Sequence, residues 1–293
     1  MDKNVFLKDR LCFAVFLILT ISALFIGTTV YNRSKASQAE PREVYISVLG
    51  DSVSDYYSTG DATGIMNSCD FTPHRYPDFD VDQASDMWYN WMVTLRNSLT
   101  DEYEYKILTV NALNGSMVCP TAEGNPDLNR GSDYCMYADS RIDGLASEVD
   151  GQRITPDIII VEGGLNDAQV FGEEVLDVDG SHTYMSASVF EKGYSHLIDK
   201  LEAAYPEAYI ICIAPNQTNE RDVDPVSDAI VNVVESYAGG QNICVCDLRE
   251  SFNDENIASY LADDGIHPNQ AAQQGIGYIV SGALYNGYER DIL

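Results

Sequence analysis

Val44-Tyr45-Ile46-Ser47-Val48-Leu49-Gly50-Asp51-Ser52 decides how the rest of the chain is read. Val44 to Leu49 is apolar and β-branched, short, and closed by a glycine, which predicts a buried strand. Gly50-Asp51-Ser52 then sets a serine hydroxyl at that strand's C-terminal end. In open α/β sheets, that edge is where ligands bind.

Two further segments have the same form. Tyr105 to Val110 predicts a second strand and runs into Asn111-Ala112-Leu113-Asn114-Gly115-Ser116. Asp157 to Val161 predicts a third and runs directly into Glu162-Gly163-Gly164-Leu165-Asn166-Asp167. Strands are expected at 44–49, 105–110, 157–161, 208–214 and 242–247, with helical segments near 84–99, 187–204, 225–238 and 268–285. Such alternation predicts a three-layer α/β/α domain, its parallel sheet covered on both faces by right-handed crossovers.

A serine hydroxyl is a poor nucleophile until a histidine accepts its proton and a carboxylate fixes the imidazole tautomer. Asp264-Gly265-Ile266-His267 supplies both groups within one turn. Asn166, at the same sheet edge as Ser52, offers an amide donor for a developing oxyanion, a contribution typically worth about 3 kcal/mol. Gly115 offers a backbone N–H to the same oxygen. Each residue also has a plainer reading. Ser52 suits a turn or helix N-cap, Asn166 and Asp167 suit a strand-to-loop cap, and His267 before Pro268 suits a helix start. Asp263 rivals Asp264 as the orienting carboxylate, and the spacing favours Asp264.

A strand followed by GDS, a glycine after the second strand, then GxND and DxxH resembles the SGNH (GDSL) hydrolase family, from about Val44 to the C-terminus. The resemblance implies a five-stranded parallel sheet in flavodoxin-like order. It implies Ser52 as nucleophile, His267 as base and Asp264 as its partner, with Ser52 N–H, Gly115 and Asn166 as oxyanion donors. Around Gly115 the chain departs from the longer N-x-G-x-S-G-like turn common in the family. Asp51, Tyr56 and Asp167 flank these motifs and are expected to contact substrate.

Inserts at 54–83 and 120–151 each follow a site element and are rich in Asp, Tyr, Gly and Pro. Loops at that edge usually set specificity. Tyr56, Tyr57, Trp88, Tyr89 and Trp91 suit a platform for a sugar, or simply pack the helix at 84–99 on the sheet.

The 46 acidic and 17 basic residues give a net charge of −29, which excludes nucleic acid as a partner because phosphates need a cationic surface. No metal and no cofactor is expected. Clusters such as Asp78-Phe79-Asp80-Val81-Asp82 with Asp86, and Asp177-Val178-Asp179-Gly180, have the alternating carboxylates that suit calcium, but the first lacks the glycine and final acidic residue of an EF-hand loop. A Gly-rich G-x-G-x-x-G phosphate turn after the first strand is absent. Of the seven cysteines, Cys12 lies in the N-terminal segment; Cys69, Cys119, Cys135, Cys212, Cys244 and Cys246 follow it. An even number is compatible with disulfides outside the cytoplasm, and Cys119 and Cys135 bracket a loop that a bridge would stiffen. Cys212, Cys244 and Cys246 fall in strands and read as small core hydrophobes.

Leu11 to Val30 is uncharged and mostly apolar, preceded by Lys3, Lys8 and Arg10. Its length meets the about 20 residues needed to cross a bilayer and exceeds the about 7–15 of a signal-peptide core. The expected organisation is a short cytoplasmic tail at 1–10, a signal anchor at 11–30, a polar linker at 31–42 and a hydrolase domain at 43–293, held outside the cytoplasm. Secretion after cleavage is the alternative.

These readings converge on an extracytoplasmic serine esterase acting on acyl esters, preferably short acyl groups such as O-acetyl on a glycan. Neighbouring readings are a lipase or lysophospholipase and an O-acyltransferase. From a different class comes a glycan-binding module without turnover.

Overall fold

The computed structural model describes residues 42–54, 74–75, 95, 103–121, 131–237 and 242–289. The chain divides into Met1–Arg42 and Glu43–Leu293, and the described strands and helices fall in the second unit, save Arg42 at the start of the first strand. The expected membrane-spanning segment at 11–30 lies outside the described residues. Among the described residues, no helix is long and apolar enough to cross a membrane.

Among the described residues, ten strands occur in chain order: β1 (Arg42–Gly50), β2 (His74–Arg75), β3 (Tyr103–Ala112), β4 (Ser147–Val149), β5 (Gln152–Ile154), β6 (Ile158–Glu162), β7 (Glu174–Leu176), β8 (His182–Tyr184), β9 (Tyr209–Ala214) and β10 (Ile243–Asp247). Helices are α1 (Asp139–Asp143), α2 (Leu165–Ala168), α3 (Ala187–Ala204), α4 (Asp224–Tyr237) and α5 (Gln270–Leu284). The main sheet runs β10-β9-β6-β1-β3-β2. Its first five strands form a parallel sheet, and β2 adds an antiparallel edge to β3. Counted by sequence, the five parallel strands stand in the order 2-1-3-4-5, the flavodoxin-like arrangement whose crevice opens between the first and third strands. Those are β1 and β6, the strands that carry Ser52 and Asn166 on their C-terminal ends.

Both faces of the sheet are buried, so the strands read as continuous apolar runs rather than alternating ones. Ile158 to Glu162 is buried throughout. Successive residues nevertheless serve opposite cores. Ile46, Val48, Ile158, Ile160, Ile211 and Ile213 pack with Ile276, Val280 and Leu284 of α5. Leu49, Ile159, Val161, Ile210 and Cys212 pack with Phe190, Tyr194 and Leu197 of α3 and with Ile230 and Val233 of α4. Burying each such aliphatic side chain is worth about 1.5–3 kcal/mol, so these two cores fix the sheet between its helical layers.

Within the described residues the long elements fall where the sequence places them, within a few residues; the helix expected at 84–99, Leu95 apart, lies outside the described residues. Two hairpins, β4–β5 and β7–β8, lie outside the expected strands. Their three-residue strands are too short to show a period. Cys119 and Cys135 are buried thiols rather than a bridge. Cys119 Sγ lies 3.7 Å from Val189 O, and Cys135 Sγ lies 3.2 Å from Ser132 O.

Candidate active site

Ser52 follows β1 directly and is 5% exposed. The strand must turn sharply after Gly50, where a Cβ would stand 2.6 Å from Ser54 Cβ, so only glycine fits. Ser52 Oγ lies 2.9 Å from His267 Nε2. His267 Nδ1 lies 2.6 Å from Asp264 Oδ2, while Asp264 Oδ1 accepts from the backbone N–H of Ile266 and His267 at 2.9 Å each. This pattern assigns the imidazole proton to Nδ1 and leaves Nε2 to accept from Ser52.

The turn that carries the histidine is itself held from several sides. Gly265 has φ +70°, its carbonyl accepts from Asn219 N at 2.9 Å, and Ala262 N donates to His267 O at 2.8 Å. Helix α5 starts one turn later. Asn269 is its N-cap, accepting from Ala271 and Ala272 N–H, so His267 is not the cap. Partial burial pushes the Asp264 carboxyl up, but the His267 imidazole and the Ile266 and His267 N–H groups outweigh it and bring it down to about 2. The Asp264 carboxylate is therefore ionised at any pH at which the protein would work.

Asn166 sits at the start of α2, 4% exposed. Its Nδ2 donates to Ser116 O at 3.0 Å and to Asp51 Oδ2 at 3.2 Å, and its Oδ1 accepts from Arg221 Nη1 at 3.3 Å. Both amide hydrogens are thus engaged, and donation to an oxyanion requires exchanging one of those bonds. The turn containing Gly115, with φ +75°, is drawn to the same place, because Leu113 N donates to Gly50 O at 3.1 Å. The three strand ends meet around Ser52 as their sequence suggests.

Asp51 and Asp167 are not where the sequence expectation puts them. Both are 0% exposed and neither carboxylate faces solvent. Asp51 Oδ1 accepts from Val53 N at 2.9 Å, and Asp167 accepts from Val118 N at 3.0 Å and Cys119 N at 2.9 Å. Each satisfies backbone donors of a site loop that would otherwise be buried without partners. Burial outweighs those N–H groups at Asp167 and pushes its carboxyl up to about 7. Tyr56 and the other members of the aromatic platform lie outside the described residues. Asp177 and Asp179 are occupied locally, Asp177 by Lys192 Nζ at 2.8 Å and Asp179 by the Ser181 hydroxyl at 2.6 Å.

Three residues that sequence reasoning passes over belong to the site's frame. Arg141, 3% exposed, donates through Nη2 to Gly50 O and Asn111 O and through Nη1 to Ser116 Oγ and Tyr134 O, each at 2.9 Å. It ties the ends of β1 and β3 together. Arg221 Nη1 also donates to Leu165 O at 2.9 Å, orienting the Asn166 turn. Glu162, 2% exposed, accepts from Ser54 Oγ at 3.0 Å. A charged residue closing an apolar strand is a usable signal for Glu162. Nothing in the spacing marks the two arginines.

The profile of the GDSL-like Lipase/Acylhydrolase family matches residues 48–274. No curated protein matches the chain. Among solved structures, a putative GDSL-like lipase from Bacteroides uniformis is 22% identical, with 83% of this chain and 96% of that one covered and a TM-score of 0.50. An active-site mutant of a family two carbohydrate esterase from Clostridium thermocellum is 15% identical, covering 85% of this chain and 65% of that one, with a TM-score of 0.50. A lipase/acylhydrolase from Enterococcus faecalis is 15% identical over 83% of this chain and 96% of that one, with a TM-score of 0.48. The chain belongs to the GDSL-like lipase/acylhydrolase family and is a carboxylic ester hydrolase.

Proposed function

We propose that the protein hydrolyses acyl esters through Ser52, His267 and Asp264, by way of an acyl-enzyme. The observation that carries this reading is the unbroken hydrogen-bond chain from Ser52 Oγ to His267 to Asp264. As Ser52 Oγ attacks the ester carbonyl carbon, its proton passes to His267 Nε2, and the Asp264 carboxylate stabilises the resulting imidazolium. The carbonyl oxygen becomes an oxyanion beside Asn166 Nδ2 and the Ser52 and Gly115 N–H groups. Collapse breaks the ester C–O bond, and the leaving alkoxide takes the proton from Nε2. A water molecule, giving its proton to the same nitrogen, then releases the acid and restores Ser52.

For the substrate we propose a short acyl group, O-acetyl foremost, on a glycan. Support comes from the acidic, Tyr-rich composition of the inserts at 54–83 and 120–151 and from the carbohydrate esterase among the structural relatives. We further propose that the segment at 11–30 anchors the domain on the outer side of a membrane, as its uninterrupted apolar run suggests. The test is hydrolysis of p-nitrophenyl esters from acetyl to palmitoyl by the full chain, wild type beside Ser52→Ala. The reading expects turnover that falls with chain length and is lost in the variant. A palmitoyl optimum overturns the short-acyl substrate, and turnover unchanged in Ser52→Ala overturns the mechanism.

A further inference from the structure

Behind the nucleophile lie two carboxyl groups to which the acyl chemistry gives no role. The β1–β6 register pairs Leu49 with Val161, which brings Gly50-Asp51 alongside Glu162. Asp51 is 0% and Glu162 2% exposed, and the two carboxyl groups lie close enough for each to shift the other's ionisation. Two anions in contact and out of water would repel strongly, so such a pair retains a proton. The surroundings decide which partner holds it. Asp51 accepts from Val53 N at 2.9 Å and from Asn166 Nδ2 at 3.2 Å, and it lies within the fields of His267 and Arg221, all of which favour its anion. Glu162 has the Ser54 hydroxyl at 3.0 Å and the Asp51 N–H, and the neighbouring Asp51 charge opposes its ionisation.

We propose that Glu162 is a permanently neutral acid donating its proton to the Asp51 carboxylate. The pair then works as a positioning device that fixes the Ser52 turn and the Asn166 amide and adds the Asp51 charge to that of Asp264 in stabilising the His267 imidazolium. The catalytic part of this inference rests on the esterase reading above. Burial and the Asp51 charge push Glu162 well above the usual carboxylate range; burial also raises Asp51, against the Val53 N–H and its other partners. The charged and titratable groups facing Asp51 are Glu162 from β6, Asp167 from α2, Arg221 from the loop after β9 and His267 from the loop before α5. Asp167 is itself a buried acid, pushed up to about 7.

The arrangement has a distinctive signature. Glutamine can donate to Asp51 as a neutral acid does, whereas leucine cannot. Glu162→Leu should lower kcat about tenfold or more with little change in KM, and Glu162→Gln should recover kcat to within about threefold of wild type. Asp51→Asn should lower kcat and move the acid limb of the kcat/KM profile to lower pH, since the imidazolium loses a nearby anion. Infrared spectra of the full chain at pH 9, where Asp167 with its value of about 7 is ionised, read the Glu162 proton without turnover. A carboxylic-acid C=O band present in wild type and Ser52→Ala should be missing in Glu162→Gln. Persistence of that band in Glu162→Gln, a Glu162→Gln as impaired as Glu162→Leu, or an unmoved acid limb in Asp51→Asn would overturn the proposal. Turnover surviving in Ser52→Ala would instead sink the esterase mechanism, leaving the infrared result to decide the protonation of Glu162 by itself.

Discussion

At the scale of single residues, the proposed mechanism turns on three side chains whose distances form one path, Ser52 Oγ to His267 Nε2 at 2.9 Å and His267 Nδ1 to Asp264 Oδ2 at 2.6 Å. Asp264→Asn should keep much of the turn, because an amide oxygen still accepts from the Ile266 and His267 N–H groups. It cannot stabilise the imidazolium, so kcat should fall by on the order of 10²- to 10⁴-fold with KM little changed, as initial-rate kinetics would show. Since Asp264 ionises at about 2, its protonation does not set the acid limb of the pH profile. The members of this path are legible in the sequence because each type is demanded by the chemistry and sits in a fixed local motif. Asp51 and Asp167 mislead for the complementary reason. A carboxylate beside a motif residue looks solvent-facing, and what turns these two inward is a set of backbone donors, Val53, Val118 and Cys119, assembled by the fold.

At the scale of elements, the turn between β6 and α2 and the join between β1 and β3 carry the site. Gly164, the N-cap of α2, has φ +106°, and a Cβ there would stand 2.6 Å from Val226 Cγ1 of α4. Gly164→Ala therefore combines backbone strain with an overpacked helix contact. It should lower unfolding free energy by about 2–4 kcal/mol in denaturant titration. Arg141→Lys keeps a charge but cannot span Gly50 O, Asn111 O, Ser116 Oγ and Tyr134 O with one compact ammonium group. A loss of about 2–4 kcal/mol, with a fall in kcat, is expected in the same assays. The parallel strands are readable because burial on both faces makes them uninterrupted apolar runs. Helix α1, which delivers Arg141, spans only Asp139–Asp143 and is fixed by tertiary contacts, so no periodicity announces it.

At the scale of the whole molecule, charge and buried acid act in the same direction. Glu162 and Asp167 are raised by burial, so the folded state holds protons that the unfolded chain releases. For Asp167 the contribution is fully present below the unfolded value of about 4 and is lost as pH rises through about 7, a swing of at most about 4 kcal/mol. The net charge of −29 adds self-repulsion that grows over the same range. Thermal unfolding should therefore show a higher Tm at pH 5 than at pH 8, and added salt should narrow the gap. Asp167→Asn should flatten the pH dependence between those values, at the cost of one acceptor for the Val118 and Cys119 N–H groups.

The claim on which everything else rests is that Ser52 becomes acylated. Brief exposure of the full chain to p-nitrophenyl acetate, an acid quench and peptide mass spectrometry would read it directly. The expected result is an acetyl group on the peptide carrying Ser52, building up as p-nitrophenol is released in a burst, and missing from Ser52→Ala and His267→Ala. Steady hydrolysis with Ser52 unmodified, or an acetyl group found on another residue and persisting in Ser52→Ala, would contradict it.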